Sequence, residues 1–204
     1  MAEFWALIEK GGLVMPLLFL GSVLSVAVAV DRFRAFHRGD ANSALLQERL
    51  EPLLKQGDWK EALTEAGKTE SLIALVASAG IENAVRGSRA ADMAMEGVAN
   101  RGAARLRQRL DILGLMVTLA PLLGLLGTVI GMIRAFNVLN VRSGQPFAIT
   151  GGVGEALIAT AAGLCVAILA LVMLSYFRNR LDRMLGDVEE VASLVLSAIQ
   201  ERES

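Results

Sequence analysis

Three stretches of this chain carry no Asp, Glu, Lys, Arg or His: Leu13 to Val30, Ile112 to Ile133 and Ala156 to Phe177, of 18, 22 and 22 residues. A helix needs about 20 apolar residues to cross a hydrocarbon core about 30 Å thick, so each run is long enough, the first only just. The pattern predicts transmembrane helices over 13–30, 112–136 and 155–177. Between the first two runs, residues 31–111 are rich in Ala, Leu, Glu, Arg and Gln, a helical texture with Pro52 as its one proline. Gly57-Asp58 and Gly87-Ser88 mark helix junctions there. The uncharged stretch Ser71 to Ile81 is only 11 residues, too short to span, and reads as a buried helix face.

From about Ala90 the helical pattern runs unbroken into the second span. A helix over 90–137 is roughly 70 Å long at about 1.5 Å per residue, of which the bilayer takes about half. Beyond the third span, Leu181, Met184, Leu185, Val188, Val191, Val195 and Ile199 recur at steps of three and four, an apolar stripe on a continuing helix. The predicted fold is an all-α membrane protein, its second and third spanning helices extended into a cytoplasmic bundle. The link at 137–154, NVLNVRSGQPFAITGGVG, has the glycines, serine and proline of a turn between helices.

Basic residues set the expected orientation. Arg32, Arg34 and Arg38 follow the first span, Arg101, Arg105, Arg107 and Arg109 precede the second, and Arg178, Arg180 and Arg183 follow the third. The N-terminal tail has only Lys10, and the later link only Arg142, with Arg134 at its edge. Segments 1–12 and 137–154 are therefore expected outside, in the periplasm if the cell has one. The region 31–111 and the tail 178–204 are expected in the cytoplasm. The first run is read as a retained span, because MAEFWALIEK lacks a basic leader and Asp31-Arg32 follows where a cleavage site needs small residues.

Composition adds mainly exclusions. The chain is 54% hydrophobic and 20% charged, with a net charge of −1, and residues 31–111 hold 13 basic and 12 acidic side chains. That mixture is a solvated surface rather than a nucleic-acid face. Cys165 is the only cysteine, so no intrachain disulfide forms, and it is expected as a small packing residue. His37, the only histidine, sits beside juxtamembrane arginines. No nucleophile–base pair, metal-ligand cluster or phosphate loop is visible, so neither an enzyme nor a metal or cofactor is expected.

The spans are more informative. Gly124, Gly127, Thr128 and Gly131 fall at relative positions 0, 3, 4 and 7, one face of a helix; Ala156, Thr160, Gly163 and Ala167 fall at 0, 4, 7 and 11, again one face. Each strip is narrow, small and marked by one threonine. Small residues let membrane helices approach closely, so both strips are candidates for helix–helix contact, each threonine bonding a carbonyl of its own helix. They are equally candidates for the wall of an ion path. Such paths usually carry a titratable group at depth, and these spans have none, so that group would come from another chain. Glu155 is the nearest carboxylate, five residues and about 7.5 Å of rise before Thr160. It reads as a polar gate or as a carboxylate favoured in a helix's first turn. Pro121 is expected to relax or kink the second span and free the carbonyl near Val117.

APLLGLLGTVIGMIRAF followed by GEALIATAAGLCVAILALV closely resembles the paired signature of the ExbB/TolQ/MotA family of bacterial proton-channel subunits. GGLVMPLLFLGSVLSVAVAVDRF resembles that family's first span with its trailing acid–arginine pair. Three spans fit the ExbB/TolQ branch, since MotA has four. The resemblance implies an inner-membrane homopentamer around two copies of an ExbD/TolR-like single-span partner, whose helix carries a proton-binding aspartate. It implies pore-lining roles for Thr128, Thr160 and Glu155, with the small residues and Pro121 as the wall. It further implies that proton-motive force is turned into mechanical work on the cell envelope. Proton and sodium remain open, since hydroxyls suit either. The competing reading is a non-conducting scaffold held by small-residue packing. A transporter is a weaker alternative, because no inverted repeat is visible.

Overall fold

The structure, a computed structural model, describes residues 12–40, 43–69, 71–141 and 146–203. Most of the expected outer segment 1–12 and the centre of the expected loop, 142–145, lie outside the described residues, as does the side chain of His37. The described residues form six α-helices: α1 (Met15–Asp40), α2 (Ser43–Lys55), α3 (Trp59–Gly67), α4 (Leu72–Asn83), α5 (Ser88–Val141) and α6 (Pro146–Glu203). Single 3-10 turns precede α1 (Gly12–Val14) and follow α4 (Ala84–Arg86). The chain divides into two units, one formed by the chain up to Val30 with Leu110–Tyr176, the other by Asp31–Arg109 with the chain from Phe177 onward. Among the described residues three helices, α1, α5 and α6, are long and apolar enough to cross a membrane.

The second unit is a helical bundle built as the stripes dictate. Gly57, at φ +74°, turns the chain between α2 and α3 where a side chain would be strained. Ser71 accepts a hydrogen bond from the Ala74 N–H at 3.2 Å and so caps α4, whose Ile73, Ala74, Val76, Ala77 and Ile81 are buried. Against this face close Met95 of α5 and the α6 stripe Val188, Val191, Val195 and Ile199. Each large apolar side chain so buried contributes about 1.5–3 kcal/mol. The Ser88 N–H at the start of α5 donates to the Glu203 carboxylate at 2.9 Å, so the last turn of α6 is tied to the first of α5. At the other end of this unit, Asp31 accepts from Arg32 at 2.7 Å and from Arg109 at 2.6 Å, and Phe36 stacks on Phe177 with ring centroids 5.8 Å apart. The acid–arginine pair after the first span is thus a three-part clamp onto α5.

Helix ends differ from the sequence expectation around the link. The sequence pattern predicts a turn over 137–154, whereas α5 continues to Val141 and α6 begins at Pro146. The reason is packing. Gly152 lies against Ala135 and the Gly131 carbonyl, so one of the glycines that read as turn residues lets two helices keep touching instead. Pro121 leaves α5 unbroken, its fixed φ being compatible with a helix that loses one ladder bond. Cys165 is exposed rather than packed, because two residues past Gly163 it points to another side of α6.

Candidate functional site

In the apolar unit the two small-residue strips face one another and form the seam between α5 and α6. Gly124 approaches the α6 backbone so closely that a Cβ on it would lie 3.1 Å from both the Ala159 carbonyl and Thr160 Cα. A Cβ on Gly127 would fall 2.5 Å from the Ala159 methyl, and one on Gly131 2.9 Å from the Ala156 methyl. From the other side, a Cβ on Gly163 would meet the Ala120 carbonyl at 2.5 Å and Gly124 Cα at 3.0 Å. Ala156 is buried, and Ala167 packs with Ala120, Val14 and Leu18 in an apolar cluster that brings α1 onto the seam. All six small residues singled out in the sequence are therefore committed to contacts inside one chain.

Two residues of that seam, Ala120 and Ala159, are not marked by the sequence pattern, and a third, Gly152, reads there as a turn residue. Ala120 and Ala159 are almost completely buried. Their signal was present, since Ala120 sits four residues before Gly124 and Ala159 three after Ala156. Alanine is so common in apolar helices that spacing alone does not single it out.

The polar groups stand at the seam's edge. Thr160, half-buried, donates its hydroxyl to the Gly124 carbonyl at 2.9 Å, across the two helices rather than within its own. Thr128 donates to the Leu125 carbonyl of its own helix at 2.6 Å. The two threonines are linked through Gly124. Its carbonyl is the i−4 acceptor of residue 128 in the helical ladder and also receives the Thr160 hydroxyl, while the Thr128 hydroxyl bonds the i−3 carbonyl. Pro121 is half-buried one turn before Gly124.

At the seam's other end, Arg134 of α5 donates to the Glu155 carboxylate of α6 at 3.1 Å. Gly12, at φ +68°, lies with its Cα against that carboxylate, where any side chain would collide with Glu155. The turn before α1, the end of α5's apolar run and the start of α6's thus converge on one carboxylate. The sequence marks Arg134 only as an edge residue, and nothing in its spacing pairs positions 134 and 155. No grouping of His, Cys, Asp or Glu able to hold a metal ion occurs among the described residues.

Compared with known proteins, residues 68–190 match the model of the MotA/TolQ/ExbB proton channel family. The chain is 51% identical over 85 residues to the putative biopolymer transport protein ExbB-like 1 of Synechocystis sp., covering 40% of this chain and 34% of that protein. It is 31% identical over 141 residues to a putative ExbB homolog of Methanothermobacter thermautotrophicus, covering 69% and 50%. It is 29% identical over 202 residues to the Tol-Pal system protein TolQ of Pseudomonas aeruginosa, covering 90% and 87%. The match thus spans a third to a half of those two ExbB-like relatives and most of the length of TolQ.

Proposed function

This chain belongs to the MotA/TolQ/ExbB proton channel family, and from that premise we propose that it is the channel subunit of a membrane stator. With an ExbD/TolR-type partner, it converts proton-motive force into mechanical work on the cell envelope, such as energising outer-membrane transport. It is a multi-pass membrane protein, and in this reading it lies in the inner membrane with its N-terminus outside and the α2–α4 bundle in the cytoplasm, as the arginine asymmetry favours. Five copies enclose two partner helices.

The observation that carries this reading is a complementarity. The apolar stretches of α1, α5 and α6 contain hydroxyls but no charge over Met15–Val30, Ile112–Ile133 and Ala156–Phe177. They need a partner to bring the proton carrier, and the family supplies partners of that type. Thr128 and Thr160 are the polar contacts along the path, and Glu155 is the gate at its outer end. The seam of Gly124, Gly127, Gly131, Ala156, Gly163 and Ala167, with Pro121 beside it, supports the wall and fixes the threonines in place.

Proteoliposomes holding the full chain and its partner should conduct protons down an imposed gradient. Thr160→Val should lower the rate roughly tenfold, the equivalent of one lost hydrogen bond of about 1.4 kcal/mol, with the assembly intact. A wild-type complex that is proton-tight would refute the channel. The close packing of the strips within one chain favours a second reading, a non-conducting scaffold. That reading requires Thr128→Val and Thr160→Val to be silent in every activity assay while Gly127→Leu disrupts the assembly.

A further inference from the structure

From Ile112 to Leu181 the chain has one acidic residue, Glu155, and ahead of Arg178 that stretch has two basic ones, Arg134 and Arg142. The fold spends one of these charges on another. Arg134 donates to Glu155 Oε1 at 3.1 Å, and the two side chains are 52% and 25% exposed. The guanidinium therefore stands on the more open side of the carboxylate. Gly12 walls the same oxygen from the turn before α1, since a Cβ there would fall on Oε1.

A carboxylate at a channel mouth is ordinarily a place for metal cations to lodge. Rings of Asp or Glu side chains collect them there. Calcium in particular gathers carboxylate and carbonyl oxygens. The assembly proposed above would set the Glu155 side chains of its copies around one opening. A guanidinium has five donors and no acceptor, so it completes no cation's ligand shell. It also brings a like charge to the one acidic oxygen a metal would need.

Resting on the channel reading above, we infer that Arg134 is a specificity-determining residue: by holding Glu155 it denies metal cations a binding site at the outer mouth. The pair has no net charge, so it neither draws cations in nor repels them at range. What it removes is the site itself. A proton passed between hydrogen-bonded waters needs no ligand shell and is not held back. Nothing replaces the arginine if it is lost, because Arg134 is the only charged partner of Glu155 among the described residues.

The test uses calcium as the probe, with two readouts. In detergent, calcium should leave the melting temperature of the wild-type chain unchanged and raise that of Arg134→Gln by a few degrees, as a ligand bound only by the folded state does. Arg134→Lys, which keeps the charge, should respond as the wild type does. The gain should vanish in Arg134→Gln with Glu155→Gln, which assigns it to that carboxylate. In proteoliposomes holding the full complex, calcium at about 1 mM, where weak carboxylate sites fill, should block proton conduction by Arg134→Gln at least twofold and leave the wild type untouched. Arg134→Ser repeats both measurements should the glutamine variant not assemble. Calcium binding by the wild type, no gain in either neutral variant, or a gain that persists without Glu155 overturns the inference and leaves the channel standing. A wild-type complex that does not conduct overturns the channel reading, while the melting comparison still decides whether Arg134 keeps metal from Glu155.

Discussion

Replacing Gly163 by alanine adds one methyl group where the α5 and α6 backbones of the seam come closest to it. The new Cβ would sit 2.5 Å from the Ala120 carbonyl oxygen, about 0.9 Å short of the 3.4 Å at which ordinary contact begins. Its next neighbours, Gly124 Cα at 3.0 Å and N at 3.2 Å, are also α5 backbone, so no flexible side chain can swing aside. The helices must part locally. Overpacking of this kind costs about 1–3 kcal/mol. The Thr160–Gly124 bond, one turn away, stretches with it and forfeits about 0.5–1.5 kcal/mol more. Against this, alanine is the better helix former by about 0.5–1 kcal/mol. The balance is a destabilisation of about 1–3 kcal/mol, or several degrees in melting temperature for a chain of this size. Gly186→Ala is the matched control, the same chemical change in the same helix with nothing within 4 Å of the new methyl. It should stabilise by about 0.5–1 kcal/mol. Melting both variants and the wild type in one detergent tests the reasoning. Equal stability of the two variants, or a Gly163→Ala protein above the wild type, would refute the seam as described.

Removing either charge of the Arg134–Glu155 pair should lower the melting temperature. The exchange Arg134→Glu with Glu155→Arg should recover the melting temperature but not proton conduction; recovery of conduction as well would show that Glu155 is only a clamp. Ser71→Ala removes the cap of α4 and should cost about 0.5–2 kcal/mol in chemical denaturation, and an unchanged midpoint would remove that role. The carboxyl of Glu65 is held below its ordinary value of 4.5 by Lys68 first and Arg49 next. A depressed carboxylate contributes stability above its unfolded pKa and loses it as pH falls through the folded one. Glu65→Gln should therefore be the less stable protein at pH 7, with the gap closing as pH falls below 4.5; a gap that persists in acid would contradict the pairing.

By itself, the sequence determined what is local and periodic. The three apolar lengths, the stripe from Leu181 to Ile199 and the helix breaks at Gly57 and Gly87 follow from the chemistry of neighbouring residues, and the helices form where those signals lie. The small-residue strips were legible too, because residues three and four apart share a face whatever lies opposite. What lies opposite is a different kind of fact. That Gly124 receives the Thr160 hydroxyl, that Gly152 continues a seam instead of opening a turn, and that Arg134 and Gly12 converge on Glu155 all depend on the register between helices. Dozens of residues separate these partners along the chain, and spacing within one helix carries no information about its rotation against another. Only the tertiary structure decided that rotation, because close approach of two backbones is possible at very few angles. In deciding it, the fold also chose which way each threonine proton points.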